Sequence, residues 1–195
     1  MTAGWIEVIT GPMFSGKTTQ LIHRLSQARA VGQRVQVFKP AADTRDDEHE
    51  MRSHAGQAIE GLAVRQAREI PDLVDPATRV VALDEAQFFD PDVVEACRAL
   101  ADRGLRVIAA GLDMDYRRQP FGSMPQLLAI AESVTKLTAL CSICGEPAVF
   151  TQRLIGGVPA GNTGPVVLVG GRDLYVARCR MHYGASESGA AAQER

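Results

Sequence analysis

The sequence carries almost no excess of charge. Its 21 lysines and arginines stand against 23 aspartates and glutamates, a net charge of -2. That argues against the broad basic footprint of a protein built to track nucleic acid, although local patches stay open. No apolar run approaches the ~20 residues that a bilayer-spanning helix needs. The first residues lack a basic stretch followed by a long apolar one, so no secretory leader is read there and a cytoplasmic location is expected. No internal repeat is present. Cysteine is scarce, with four in 195 residues. In a cytosolic setting that points to metal binding or structural thiols rather than a disulfide framework. What remains is ordinary: 46% hydrophobic and 23% charged residues, enough for one domain or one domain with a small appendage.

Against this background one stretch stands out. Gly11-Pro-Met-Phe-Ser-Gly-Lys17-Thr18 reads G-x-x-x-x-G-K-T. A β-rich run, Trp5 to Thr10, precedes it. Leu21, Ile22, Leu25 and Ala28 follow at helical spacing. Strand, glycine loop and helix form the setting of a phosphate-binding loop. Backbone N–H groups of Gly11, Pro12 to Ser15 and Gly16 (proline excepted) would turn on a phosphate chain. The helix N-terminus and Lys17 supply positive charge, and Thr18 a hydroxyl for Mg²⁺.

Val35 to Lys39 alternates as a second strand, stopped by Pro40. Residues 41–61 are polar and weakly patterned, with a charge cluster at 43–50 that is either solvated surface or part of a binding loop. Ile59 to Val64 includes a short edge strand, and Ala67 to Val74 a short helical turn. Arg79 to Leu83 is a continuous apolar run, as in a buried parallel strand, ending at Asp84-Glu85. Asp90-Pro91 starts a helix whose inner face holds Val93, Val94, Cys97 and Leu100. Leu105 to Leu112 is another buried strand. Residues 129–138 carry a helix end into a fifth. Beyond Cys141, Ala148 to Leu154 reads as a strand, 156–165 as a Gly/Pro-rich loop, and Val166 to Val169 as its returning strand. The tail from Gly184 is small and polar and is expected to be disordered.

Two constellations carry chemistry. A carboxylate at a strand end opposite a phosphate loop holds Mg²⁺, and a second beside it can take a proton from an attacking hydroxyl or water. Asp84 is given the first role and Glu85 the second. Alone, the pair does not separate an ATPase from a kinase. Cys141-x2-Cys144 and Cys179-x2-His182 form a Cys₃His set suited to tetrahedral Zn²⁺. With no coordination position left over, its role is structural. Cys97 is read as a core residue and His23 as solvated or packed. Arg117 and Arg118 are read either as stabilising a transferring phosphoryl group or as surface arginines.

With these residues in place, the chain resembles the zinc-containing thymidine kinases of the cellular, tetrameric type. The likeness runs from the first strand to His182. It rests on residues 11–19, Phe38-Lys39-Pro40, Asp43-Thr-Arg45, Ser53-His54, Asp84-Glu-Ala-Gln-Phe-Phe89, Gly111-Leu-Asp113, Pro120-Phe-Gly122, Thr151-Gln-Arg153, Gly170-Gly171, Tyr175 and the four zinc ligands. It implies a P-loop, RecA-like α/β domain over 1–140, a parallel sheet flanked by helices, and a zinc-binding lasso subdomain over 141–183. It implies ATP-dependent phosphorylation of the 5′-hydroxyl of thymidine, and usually of deoxyuridine, with Glu85 as base. Residues 11–18, Asp84 and Gln87 would meet the donor. Met13, Phe88, Leu112, Tyr116, Phe121 and Thr151 would surround the nucleoside. Backbone groups around Val166, Val167, Leu168, Val169 and Gly170 would bind the base edge, with Tyr175 near the sugar. A homotetramer and feedback binding of dTTP also follow from the resemblance.

A P-loop ATPase whose zinc knuckles bind nucleic acid is the alternative. It predicts a basic surface and ATP turnover without a nucleoside. A non-catalytic zinc-stabilised nucleotide module is set against the intact Lys17, Thr18, Asp84 and Glu85. A G protein is excluded because no Asn-Lys-x-Asp motif is present.

Overall fold

The computed structural model of the protein describes residues 4–41, 50–52, 58–161, 164–168, 170–171 and 173–184. Asp43, Arg45, Ser53, His54, Val169 and the tail after Gly184 lie outside the described residues.

The first part of the chain alternates strand and helix. Its elements are β1 (Trp5–Thr10), α1 (Lys17–Ala30), β2 (Arg34–Pro40), β3 (Glu50–Arg52), β4 (Ala58–Glu60), β5 (Leu62–Val64), α2 (Ile70–Leu73), β6 (Thr78–Leu83), α3 (Val93–Asp102), β7 (Arg106–Gly111), α4 (Met124–Ile130) and β8 (Ser133–Lys136). Six of these strands form one sheet in the order β5-β2-β6-β7-β1-β8. Every pairing in it is parallel. The expected edge strand is therefore β5, beside β2. β3 and β4 pair as a small antiparallel ribbon inside the stretch read as loop. Three-residue strands are too short to show alternation, so the sequence gives no sign of them.

Side-chain alternation along the strands builds two separate cores. Ile6, Val8, Val81, Leu83, Val107 and Ala109 face one way, against Val93, Cys97 and Leu100 of α3 and Met124 and Leu127 of α4. Ile9, Val80, Ala82, Ile108 and Ala110 face the other way, against Leu21, Ile22, Leu25 and Ala28 of α1. Leu21 and Leu25 are fully buried, which stabilises the fold by about 2 kcal/mol for each side chain. The strands are buried on both faces because helices cover both, which is why their sequences read as apolar runs. A parallel sheet collects its strand C-termini at one edge. Thr10, Leu83 and Gly111 end there, each leading into a loop that carries functional candidates.

The last part is built from short antiparallel pieces: β9 (Ala139–Leu140), β10 (Pro147–Ala148), β11 (Phe150–Ile155), β12 (Val158–Pro159) and β13 (Tyr175–Arg178). β11 pairs with β12 on one side and β13 on the other. This corrects one expectation. The returning strand is β13, and Val166 to Leu168 are irregular. Their side chains are exposed, so they have no apolar surface to pair over. The Val166 and Leu168 carbonyls are held by side chains instead, as described below. Among the described residues no helix is long and apolar enough to cross a membrane.

Candidate active site

The phosphate-loop geometry follows from three left-handed residues: Gly11 at φ 144, Phe14 at φ 67 and Gly16 at φ 85. Gly16 caps α1 without a side chain, and no acidic residue lies in the first turn. The N-terminal N–H groups of α1 are thus left to an anion. Lys17 Nζ donates to the Pro12 carbonyl at 2.9 Å, folding the ammonium over the loop. Ser15 Oγ is buried with no hydrogen-bond partner among the described residues. A buried hydroxyl without a partner is costly, and a phosphate oxygen in the loop would satisfy it. Phe14 points elsewhere and packs beside the small core of Ala139, Cys141, Ala148 and Ala177. It thereby ties the loop to the zinc-knuckle region.

Strand β6 ends at Leu83, and the two carboxylates follow. The Asp84 N–H donates to the Phe38 carbonyl at 3.0 Å, and the residue is buried. β7 lies between β6 and β1 in the sheet, so Asp84 faces the phosphate loop across one intervening strand, roughly 10 Å at strand spacing. Glu85 adopts φ 51, uncommon for a residue with a side chain. That reversal ends the strand's alternation and starts the 3₁₀ turn Ala86–Phe88. Gln87, expected at the donor, is buried within the fold. Its side chain bonds Glu85 and the Leu112 N–H.

A largely apolar cavity, roughly 400 Å³ including its open mouth, lies beside these loops. Met13 of the phosphate loop, Phe88 of the acidic turn, Leu112, Tyr116 and Phe121 form one part of its wall. Thr151, Tyr175, Val166, Val167, Leu168 and Gly170 form the rest. Every described residue expected at the nucleoside is brought to this one cavity. Phe88 and Phe121 meet edge to face, ring centroids 5.4 Å apart. The Met13 N–H donates to Thr151 Oγ1 at 2.9 Å. Met114 and Asp115 also line the cavity. The sequence reading passed over them, although they sit between Leu112 and Tyr116. Asp115 Oδ1 accepts the N–H groups of Arg117 and Gln119 and shapes the turn.

A match to the thymidine kinase family model covers residues 4–183. The chain belongs to the thymidine kinase family. It is an ATP-dependent nucleoside kinase that phosphorylates thymidine in nucleotide salvage, and an ATPase acting on nucleic acid is not favoured.

In this thymidine kinase the loop that borders the cavity is held by its carbonyl oxygens. Arg153, on β11, is only 2% exposed. Its guanidinium donates to the carbonyls of Pro165 at 2.6 Å and Val166 at 2.8 Å, and to Tyr175 Oη at 2.7 Å. Tyr175 Oη in turn donates to the Leu168 carbonyl at 2.8 Å. The Tyr116 ring lies against the guanidinium, 3.9 Å from centroid to Cζ. Arg117 donates to the Gly164 carbonyl, and Arg118 stacks on Tyr183 at 4.5 Å. Arg117 thus bonds the loop and Arg118 stacks on an aromatic face. His23 is exposed on α1.

The four metal candidates converge. Their ligand atoms all lie within 4.8 Å of one another. Cys144 Sγ is 3.8 Å from Cys179 Sγ, and His182 Nδ1 is 3.3 Å from Cys179 Sγ and 3.8 Å from Cys141 Sγ. A tetrahedron with Zn–S bonds of about 2.3 Å has S–S edges of about 3.8 Å, so the set fits zinc. Burial pushes the Cys141 thiol up, but N–H donors from Cys179, Cys144 and Ile143 outweigh it and bring it down to about 6. That ligand is thus a thiolate at neutral pH. Cys144 moves the other way. A Glu146 N–H favours its thiolate, but desolvation and the neighbouring Cys141 and Cys179 sulfurs prevail. Crowded thiolates of this kind are what a divalent cation relieves. Cys97, by contrast, is fully buried, and burial pushes it up to about 12.

Proposed function

We propose that phosphoryl transfer takes place where the phosphate loop meets the cavity, with ATP on the loop and the nucleoside within. The observation that carries this reading is the double duty of two segments. The phosphate loop and the acidic turn each give a residue, Met13 and Phe88, to the cavity wall. The acceptor hydroxyl is thereby kept within reach of the γ-phosphate.

Lys17 and the N–H groups from Gly11 to Thr18 hold the donor phosphates, and Thr18 and Asp84 hold Mg²⁺. That ion, when bound, would offset negative charge on the donor phosphates. Glu85 takes the proton of the 5′-hydroxyl. The 5′-oxygen then bonds to the γ-phosphorus, and the bridging P–O bond breaks with its electron pair leaving on ADP. Leu112, Phe121, Thr151 and Tyr116 enclose the base and sugar. The loop around Val166, Val167, Leu168, Val169 and Gly170 acts as the lasso-like lid, with Tyr175 near the sugar. Such a pocket accepts deoxyuridine as well, since one methyl group separates the two bases and is worth only about 1–3 kcal/mol. Cys141, Cys144, Cys179 and His182 hold one structural zinc, giving a zinc-binding unit over 141–183 beside the phosphate-loop domain of 1–140. Cytoplasmic location, a homotetramer and feedback by dTTP complete the reading.

The test is purified protein with Mg-ATP and a panel of nucleosides, scored for monophosphate. Thymidine and deoxyuridine are expected to give product. Glu85→Gln is expected to bind ATP without transfer, and transfer by it at near the wild-type rate would sink the base assignment.

A further inference from the structure

Gln87 stands two residues after Glu85, and only 3% of its surface is exposed. Its Oε1 accepts the Leu112 N–H at 2.9 Å, a buried bond between the acidic turn and the segment after β7. That partner is a donor, so the amide oxygen must face it and the orientation of the amide is fixed. The NH₂ group is then turned to Glu85, where Nε2 donates to Oε2 at 2.5 Å.

The space for this residue is made by two glycines from other parts of the chain, one beside its amide and one beside its backbone. A Cβ on Gly111 would lie 2.6 Å from Gln87 Oε1 and 2.8 Å from Met124 Sδ. A Cβ on Gly122 would lie 2.2 Å from the Gln87 carbonyl, where the backbone is also left-handed at φ 51. Neither position admits a side chain without moving Gln87. Three separated segments, 84–89, 111–113 and 120–122, therefore converge on one residue, Gln87, the second at its amide and the third at its backbone. Glu85 itself leaves the strand through a left-handed residue. The charge-assisted bond from Gln87 restricts the rotamers of the Glu85 carboxylate.

We infer that Gln87 is a positioning residue for Glu85: it ties the carboxylate to the backbone of Leu112 in the cavity wall and so aims it at the acceptor. This rests on the reading of Glu85 as the base. Leu112 and Phe88 both line the cavity, so the same amide registers the base against the wall that holds the nucleoside. On this reading Gln87 acts through Glu85.

Gln87→Met keeps the length and apolar volume and removes both hydrogen bonds. In the full-length enzyme kcat is expected to fall about 10- to 100-fold, the range for a misplaced catalytic group. The KM for thymidine and for ATP is expected to stay within about threefold. Glu85→Gln/Gln87→Met is expected to be no slower than Glu85→Gln alone, because the two residues act as a unit. A raised KM for ATP with unchanged kcat would show a donor contact and overturn the inference. So would losses that multiply in the double variant. If Glu85→Gln is inactive while Gln87→Met is normal, the positioning role fails and the base assignment stands. If Glu85→Gln is active, the base assignment fails and takes the positioning role with it. Circular dichroism checks folding. Should Gln87→Met not fold, Gln87→Asn, one methylene too short to span both partners, is read by the same criteria.

Discussion

Thr151 Oγ1 accepts the backbone N–H of Met13 at 2.9 Å, joining two residues 138 positions apart. The bond links the phosphate loop to β11, and both residues line the cavity. It is a direct connection between the loop that holds the donor and the wall that encloses the acceptor. Thr151→Val keeps the shape of the side chain and leaves the Met13 N–H without its acceptor, at a cost of about 1–3 kcal/mol. The KM for thymidine is expected to rise roughly 5- to 150-fold by the same energy. Thr151→Ser keeps the hydroxyl and is expected to stay within about threefold of wild type. Steady-state kinetics on the two variants decide it, and equal losses would show that only the methyl group counts.

Arg153 is the corresponding anchor for the loop over the cavity. Its planar fork reaches two loop carbonyls and Tyr175 at once. Lysine cannot reproduce that geometry. Arg153→Lys and Arg153→Met are therefore both expected to raise the KM for thymidine by at least about tenfold, from one or two lost charge-assisted bonds. The KM for ATP is expected to change little. A thymidine titration of each variant measures this. Full rescue by lysine would mean that charge alone holds the loop.

The sequence made some of this legible and hid the rest, for physical reasons. The strand-loop-helix of residues 5–30 and the run before Asp84 announced themselves because burial on both faces forces apolar runs, and helical burial forces a 3.6-residue period. The metal ligands were legible because their chemistry needs fixed residue types at close spacing. The cavity residues were named through resemblance, since nothing in the local pattern distinguishes Phe121 from any other partly buried aromatic. Gln87 shows the limit. Its neighbours Leu112, Gly111 and Gly122 are remote in sequence, and only the folded chain brings them to one residue. Val166 to Leu168 are irregular although Val166-Val-Leu-Val169 has strand-like residues. Side-chain hydrogen bonds to its backbone override that preference.

The thiols give a direct count of the metal site. Cys97 is buried and held protonated, so it is inert in the folded protein. Cys141, Cys144 and Cys179 surround the site with His182. Zinc-loaded protein is expected to contain one metal per chain and to show no fast-reacting thiol. After chelation, three thiols are expected to react, and the fourth only in denaturant. Thiol titration with metal analysis measures both. Fast reaction of three thiols in untreated, metal-containing protein would place the zinc elsewhere.

Glu7 supplies a pH test of stability away from the site. It lies under α1 and accepts from Arg24 at 2.6 Å, Arg106 at 2.7 Å and Trp5 Nε1 at 2.7 Å. Burial pushes its carboxyl up, but the hydrogen bonds from Arg106 and Trp5 and the charges of Arg106 and Arg24 outweigh it, so it sits below its ordinary value of 4.5. A depressed carboxylate stabilises the folded state fully above its unfolded value, and that contribution fades as pH falls through the folded one. Glu7→Gln leaves two guanidinium groups without their counter-charge. It is expected to destabilise the protein at pH 7 by about 2–4 kcal/mol, or roughly 5–10 °C in Tm for a chain of this size. As pH drops below 4.5 the wild-type protein loses the advantage, and the two melting temperatures are expected to converge. Thermal melts from pH 7 to pH 3 measure the gap. A gap that stays constant over that range would mean that the Glu7 charge contributes nothing and that shape alone matters at this position.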